Sequence, residues 1–130
     1  MSNLLSVVII TKNEERFLAD AIKSSLFADE VLVLDSGSTD NTCTIAKDLG
    51  ARVEYQEWLG FGPQKNKAIE LAVHDWVFVL DSDERITIEL QHEILTILQG
   101  PTVNGYHVAR LNNFFGKDIR TCGLYPDYSI

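Results

Sequence analysis

"LLSVVII", residues 4–10, is apolar and β-branched almost throughout, with Ser6 as its one polar residue, and it indicates the fold class. Such a continuous apolar run is typical of a strand that is covered on both faces, as in a parallel sheet flanked by helices. The run is far shorter than the ~20 apolar residues that a membrane helix needs, and no basic region precedes it as in a signal peptide. We therefore predict a buried strand here.

The segment after this strand has the pattern of a loop followed by a helix. Thr11 or Asn13 can cap a helix whose first turn carries Glu14 and Glu15. Apolar residues then recur at helical spacing and predict the buried side of that helix: Phe17, Leu18, Ala21, Ile22 and Leu26.

The same order of strand, polar loop and helix recurs along the chain. Strands are predicted at residues 30–34, 52–55 and 76–80, and helices at 42–49, from Pro63 onward and from Thr87 onward. Alternating strands and helices predict an α/β fold, a mostly parallel sheet with right-handed crossovers and helices on both faces. Residues 105–123 change character and predict a β-hairpin whose strands are joined through residues 112–116.

Composition limits the classes of function. The 130 residues fit one domain, and 19 acidic against 11 basic side chains give a net charge of −8, which opposes binding to nucleic acid or to an anionic membrane surface. Cys43 and Cys122 lack metal-ligand spacing and are expected to be reduced thiols of a cytoplasmic protein. No transmembrane segment is expected, and the oligomeric state stays open.

The acids of "FVLDSDERI", residues 78–86, are the first candidate site. In an open α/β sheet, ligands bind beyond the carboxyl ends of the strands where the strand order reverses, here between the first and fourth strands. If the segment is extended, Asp81 and Asp83 project to one side about 6.5 Å apart, and their repulsion favours a divalent cation such as Mg²⁺ or Mn²⁺. The alternative is that these acids only form a turn and a helix start, together with Glu84.

Two further segments are candidates for binding a substrate. The loop "DSGSTDNT", residues 35–42, is rich in short polar side chains, with Asp35 where an acid commonly contacts a ribose. Such residues equally often form only turns and caps. Lys65 and Asn66 are expected to open the third helix, where backbone amides favour an anion such as a diphosphate; the alternative is a solvated lysine. Trp58 and Phe61 could stack on a sugar or simply anchor their loop to the core.

Five motifs together resemble family 2 glycosyltransferases of the GT-A fold: "SVVIITKNEE", "VLVLDSGSTDNT", "GFGPQKNKA", "VFVLDSDERI" and "CGLYPD". More narrowly, they are similar to bacterial lipopolysaccharide inner-core β-1,4-glucosyltransferases. The resemblance implies an inverting transfer from a UDP-sugar, most simply UDP-glucose, to a glycan or lipid-linked glycan acceptor. It also implies a cytoplasmic enzyme that is peripheral at the inner face of the membrane in its full-length form.

The resemblance implies roles for particular residues. Asp81 and Asp83 fall on the DxD motif, with Asp83 as the direct ligand of Mg²⁺ or Mn²⁺, Asp81 nearer the ribose or sugar, and Ser82 between them. Lys65 would approach the diphosphate. The remaining positions implied to bind substrate are Thr11, Asn13, Glu15, Asp35, Ser36, Ser38 and Asn66.

The catalytic base is not assigned by the resemblance. In the family this carboxylate lies well beyond the DxD motif, so Asp127 is not assigned to it. We expect residues 1–130 to be the nucleotide-sugar-binding part of a longer GT-A domain. The alternatives are a non-catalytic sugar-nucleotide-binding fragment and a nucleotidyltransferase, which would carry a glycine-rich basic loop after the first strand, unlike "TKNEERF".

Overall fold

A computed structural model describes residues 4–99 and 114–116. Strands and helices alternate along the described residues. The elements are β1 (Leu5–Thr11), α1 (Leu18–Ser25), β2 (Glu30–Asp35), α2 (Thr42–Asp48), β3 (Arg52–Tyr55), α3 (Phe61–Leu71), β4 (Trp76–Asp81), α4 (Ile88–Gln99) and β5 (Phe114–Gly116).

The five strands form one sheet in the order β3-β2-β1-β4-β5. The first four run parallel, and β5 pairs antiparallel with β4. The predicted α/β class and the reversal of strand order between β1 and β4 are therefore confirmed. Residues 114–116, predicted to join two strands of a hairpin, are themselves a strand, because their backbone pairs with β4. The rest of the predicted hairpin lies outside the described residues.

Helices cover both faces of the sheet, as the apolar strands require. On one face Leu5, Val7 and Ile9 of β1 pack in a core that includes side chains of α1, α2 and α4. On the other face Val8 and Ile10 pack in a core with Ala68 and Ile69 of α3. Burial of alternate residues on opposite faces explains why residues 7–10 of β1 are all apolar rather than apolar at every second position.

The predicted start of α1 is wrong. Glu14 and Glu15 lie in a loop, because the carbonyl of Glu14 accepts the N–H groups of Phe17 and Leu18 in a turn and the helix begins at Leu18. The helix is therefore shorter than its sequence pattern, so Phe17 and Leu26 flank it and are about half exposed rather than buried. The Arg16 guanidinium lies 5.6 Å from the centre of the Phe17 ring.

The C-terminal end of α2 and the N-terminal end of α4 follow the sequence pattern. Gly50 takes a φ of +91° after α2, and the N–H of Ala51 donates to the carbonyl of Ala46, which closes the helix as predicted. Thr87 caps α4 by accepting the N–H of Leu90 on its hydroxyl at 3.1 Å. No helix within residues 4–99 or 114–116 is both long and apolar enough to span a membrane.

Candidate functional site

The carboxyl ends of the three central strands meet at one edge of the sheet. Thr11, Asp35 and Asp81 are the last residues of β1, β2 and β4. Thr11 stands in register with Asp35, and Ile10 stands in register with Asp81. The chain continues from each strand into a polar loop, so the parallel arrangement alone brings these loops together.

A cleft of about 560 Å³ opens at this edge. Its volume lies within the ~300–1,000 Å³ typical of small-molecule sites. It is lined by Ile10, Thr11, Lys12, Glu14, Ser36, Trp58, Phe61, Lys65, Asp81, Ser82 and Asp83. The lining combines carboxylates, two lysines, hydroxyls and two aromatic rings.

The DxD segment lies in a turn, not in the extended conformation that the sequence predicted. The N–H of Glu84 donates to the carbonyl of Asp81 at 2.9 Å, and the N–H of Asp81 donates to the Glu84 carboxylate at 3.0 Å. Glu84 thus closes the turn on both sides, and it lies ahead of α4 rather than in that helix. Ser82 is buried within the turn, whereas Asp81 and Asp83 are exposed to the cleft.

Lys65 supplies positive charge beside these acids. Its Nζ lies 3.9 Å from Oδ1 of Asp81, and its side chain is only 18% exposed. The expected position of Lys65 and Asn66 in the first turn of α3 is wrong. The helix already begins at Phe61, so the two residues are its fifth and sixth and lie beyond the free amides of the helix start.

Thr11 contributes a buried polar atom with no partner. The residue is 7% exposed, and among the described residues its Oγ1 has no hydrogen-bond partner, as is also true of Oδ1 of Asn66. A buried hydroxyl without a partner is costly, and at the wall of a cleft a ligand can satisfy it. Thr11 therefore has capacity left for a ligand. Asn66 does not line the cleft.

Asn13 and Glu15 join two loops rather than line the cleft. We call residues 12–17 loop 1 and residues 36–41 loop 2. Asn13, at a φ of +55°, accepts the N–H of Thr39 at 2.8 Å on Oδ1, and its own N–H donates to the Ser38 hydroxyl at 2.7 Å. The Glu15 carboxylate accepts the N–H of Asn41 at 3.1 Å. These contacts fix the two loops against each other.

Asp35 holds loop 2 in shape. Its carboxylate is buried and accepts the N–H groups of Gly37 and Ser38 at 2.9 and 2.8 Å, together with the Ser38 hydroxyl. Gly37 has a φ of +115°, which favours glycine. The turn role considered for Asp35 and Ser38 is thus present. Their contact with a ribose stays a prediction, since neither residue lines the cleft.

Two other groups near loop 2 have shifted pKa values. The Thr42 hydroxyl donates to Asp40 and lowers the pKa of that carboxyl. Burial, with a smaller contribution from the Asp35 carboxylate, raises the pKa of the Cys43 thiol. Cys43 is therefore protonated at neutral pH and is not an activated nucleophile.

The remaining lining residues include two side chains of loop 1 and two aromatic rings. Lys12 and Glu14 line the cleft directly after β1, where the crevice was predicted, although neither had been assigned to substrate binding. Trp58 and Phe61 had been considered for stacking, and the alternative that they anchor the loop to the core is wrong. They are 48% and 70% exposed.

The sequence family follows from comparison with known proteins. The family model "Glycosyl transferase family 2" matches residues 6–121. The chain belongs to glycosyltransferase family 2. Its membership agrees with the GT-A fold predicted from the five motifs, and with the sheet order described above.

Relatives span a range of similarity. An uncharacterised glycosyltransferase of Rickettsia typhi is 50% identical over 91 residues, which cover 69% of this chain and 31% of the relative. The lipopolysaccharide core biosynthesis glycosyltransferase LpsC of Rhizobium meliloti is 36% identical over 112 residues, which cover 82% of this chain and 42% of the relative. The chain thus spans about a third of the length of the Rickettsia relative.

A solved structure shares the fold with a ligand in place. Glucosyl-3-phosphoglycerate synthase of Mycobacterium tuberculosis, crystallised with Mn²⁺, UDP and glucosyl-3-phosphoglycerate, superposes with a TM-score of 0.57. The two chains are 31% identical, and the match covers 64% of this chain and 36% of the synthase.

Proposed function

We propose that this chain is the nucleotide-sugar-binding part of an inverting, metal-dependent glycosyltransferase that uses a UDP-sugar. The observation that carries the proposal is the cleft itself. It places two exposed carboxylates, a lysine ammonium and the partnerless hydroxyl of Thr11 around one volume at the switch point of the sheet. A ligand with both negative charge and hydrogen-bonding groups would match that lining.

The residue types in the cleft suit a divalent cation together with phosphates. Asp81 and Asp83 offer hard oxygen ligands, which Mg²⁺ and Mn²⁺ prefer, and these ions commonly take one or two carboxylates and complete their shell with water and phosphate oxygens. Within the described residues no group of three or more His, Cys, Asp or Glu side chains could hold a metal alone. Asp81 and Asp83 would be the protein's ligands to such a cation.

Five of the lining residues have a role in this proposal. Asp83 is the direct metal ligand, and Asp81 lies nearer the ribose or sugar. Lys65 lies within reach of the same volume and binds the diphosphate when the donor enters. Thr11 and Ser36, on the β1 and β2 side of the cleft, face the nucleoside. Asn13, Glu15, Asp35 and Ser38 act by holding loops 1 and 2 in place.

The reaction follows from the chemistry of the donor. An acceptor hydroxyl oxygen attacks the anomeric carbon from the face opposite the diphosphate, and its proton passes to a general base. The bond from the anomeric carbon to the phosphate oxygen breaks, and its electron pair leaves with UDP. The bound cation supplies positive charge that stabilises this leaving group. Lys65 adds a second positive charge from the protein.

UDP-glucose is the donor that we propose, and a lipopolysaccharide core or related glycan is the acceptor. The choice of donor is supported by the UDP and glucosyl-3-phosphoglycerate bound to the Mycobacterium tuberculosis synthase. The choice of acceptor is supported by the name of the Rhizobium meliloti relative. We also propose that residues 1–130 belong to a single GT-A domain, and that the full-length protein works in the cytoplasm at the inner face of the membrane.

Calorimetry with UDP tests the metal role. We expect UDP to bind more tightly with Mn²⁺ than without it, and Asp83→Asn to remove most of that difference. Asp48→Asn, which changes an exposed acid at the end of α2, is the matched control and should leave the difference intact. Binding of UDP that is indifferent both to Mn²⁺ and to Asp83→Asn would contradict the proposed site.

The donor is tested separately by competition. UDP-glucose, UDP-galactose and GDP-mannose are titrated in the presence of Mn²⁺, and the release of UDP or GDP is followed over time. Preference for UDP-glucose supports the proposed donor. Equal binding of GDP-mannose would contradict the choice of a uridine nucleotide.

A further inference from the structure

An exposed aromatic pair forms one wall of the cleft. The Trp58 and Phe61 rings are 5.0 Å apart at their centres and nearly perpendicular, at 89°. In this edge-to-face arrangement one ring presents its edge to the other, so ring faces are left uncovered. Both residues line the cleft and are about half exposed or more. A planar or apolar part of a ligand would cover them.

A buried glutamine fixes the β3–α3 loop, which we define as residues 56–60. Gln64 is fully buried; its Nε2 donates to the carbonyl of Gln56, and its Oε1 accepts the N–H of Leu59, both at 3.1 Å. Gly60 has a φ of +105° and accepts the N–H of Gln64 at 2.9 Å. The loop that carries Trp58 is thus held to α3, so the wall is ordered before a ligand binds.

The position of this wall indicates which part of a donor it meets. The β3–α3 loop follows β3, which lies beyond β2 in the sheet, whereas the DxD turn follows β4 on the other side of β1. Phe61 and Lys65 are four residues apart on α3, so they are neighbours on one helix face at ~6 Å. With the diphosphate at Lys65 and Asp83, the nucleoside extends toward the β2 and β3 side.

We propose that Trp58 and Phe61 form a wall on which the nucleobase of the donor stacks. Gln64 is the residue that positions this wall. This inference rests on the proposed function, since it requires a nucleotide in the cleft. The wall contributes to affinity through the base and not through the transferred sugar.

Tryptophan fluorescence tests the contact directly, because the chain has two tryptophans. Trp76 is 7% exposed and begins β4, so it lies at the end of that strand away from the cleft. In Trp76→Phe the remaining fluorescence comes from Trp58. We expect uridine and UDP to quench it saturably, and pyrophosphate and glucose 1-phosphate to leave it unchanged. Quenching by glucose 1-phosphate but not by uridine would overturn the proposal and assign the wall to the sugar.

An affinity test keeps Trp76 and so does not depend on that variant folding. By calorimetry with Mn²⁺, Trp58→Ala and Phe61→Ala should each weaken UDP binding by roughly 5- to 150-fold, the range expected for loss of a base–aromatic stack. Pyrophosphate affinity should not change. Leu59→Ala is the matched control, since Leu59 is half exposed in the same loop and outside the cleft lining.

The outcomes separate this inference from the function on which it rests. If the unaltered protein binds UDP and both alanine variants bind it equally well, the stacking wall is wrong and the function stands. If the unaltered protein binds UDP no more tightly than pyrophosphate, the proposed stacking wall is also wrong. If it binds neither UDP nor pyrophosphate, both proposals are overturned.

Discussion

The ammonium of Lys65 faces the carboxylate of Asp81 at 3.9 Å, between the second turn of α3 and the end of β4. This distance is that of a loose ion pair, longer than a hydrogen bond. The Lys65 side chain is mostly buried, whereas that of Asp81 is 53% exposed. The lysine is therefore held near the DxD turn by charge, and it can redirect its donors to a phosphate.

Lys65→Met should affect metal and nucleotide in opposite directions. Without the ammonium, Asp81 loses a competing cation, so Mn²⁺ alone should bind about 2- to 5-fold more tightly, as expected for an exposed ion pair of ~0.5–1 kcal/mol. UDP binding in the presence of Mn²⁺ should weaken about 10-fold, because a charge-assisted contact to phosphate is lost. Calorimetry measures both affinities.

Lys67→Met is the control on the same helix, since Lys67 does not line the cleft. If Lys65→Met changed the affinities for Mn²⁺ and for UDP in the same direction, the proposal that Lys65 pairs with Asp81 and also binds the diphosphate would be contradicted.

Asn13 should be replaceable by glycine at less cost than by alanine. Both variants lose the hydrogen bonds that Oδ1 accepts from loop 2, but only glycine adopts a φ of +55° without strain. We expect Asn13→Ala to be less stable than Asn13→Gly by about 1 kcal/mol in urea unfolding. Equal stability of the two variants would show that the backbone conformation costs nothing here.

Gln64→Met should loosen the β3–α3 loop while keeping the volume of the buried side chain. The carbonyl of Gln56 and the N–H of Leu59 each lose a partner, so the free energy of unfolding should fall by about 1–3 kcal/mol. Affinity for UDP should fall together with stability, whereas affinity for pyrophosphate should not. Hydrogen exchange at the Leu59 amide, which we expect to be slow in the unaltered protein because this N–H is hydrogen-bonded, should become fast. Unchanged protection of that amide would contradict the proposal that Gln64 fixes the β3–α3 loop.

Glu30 is predicted to make stability depend on pH. It is partly buried, which raises its pKa, but hydrogen bonds from Ser6, the N–H of Val73 and Arg52 outweigh this and lower the pKa below its ordinary value of 4.5. A lowered pKa means that the unfolded chain binds the proton more readily, so the stabilisation is complete above pH 4.5 and is lost as the pH falls through the lower, folded value.

Glu30→Gln should therefore destabilise the protein by about 2 kcal/mol at pH 7 and by much less at pH 3. Urea unfolding at both pH values measures this difference. Glu54→Gln is the matched control, because Glu54 also pairs with Arg52 but is 44% exposed, so about 0.5 kcal/mol is expected. If Glu30→Gln lowered the free energy of unfolding equally at pH 3 and pH 7, the stabilisation would not come from the ionised Glu30 carboxylate.

Local patterns were sufficient where burial is continuous. The apolar runs predicted β1, β2 and β4 to within one residue, because each of these strands is covered on both faces. The bounds of β3 also agree with the prediction, although this strand is only partly buried. The position of Asp81 and Asp83 at the switch point followed from strand order, and that prediction held. Their side chains line the cleft as expected.

Distant contacts explain what the sequence did not predict. Glu14 and Glu15 have the pattern of a helix start, but their N–H groups bind Thr42 and Asp40, more than 20 residues away, and this holds loop 1 out of the helix. Likewise, the buried role of Gln64 depends on a loop eight residues before it. Neither contact leaves a periodic signal, so neither could be derived from hydrophobic spacing.

The short edge strand β3 has a consequence for the behaviour of the protein in solution. It ends the sheet on one side with only four residues, two of which, Arg52 and Glu54, carry opposite charges on the same face. A longer, apolar edge would offer its unpaired backbone to a strand from another molecule. The ion-paired side chains of β3 disfavour that pairing, so at high concentration this edge should resist the strand-to-strand addition that begins fibrillar aggregation.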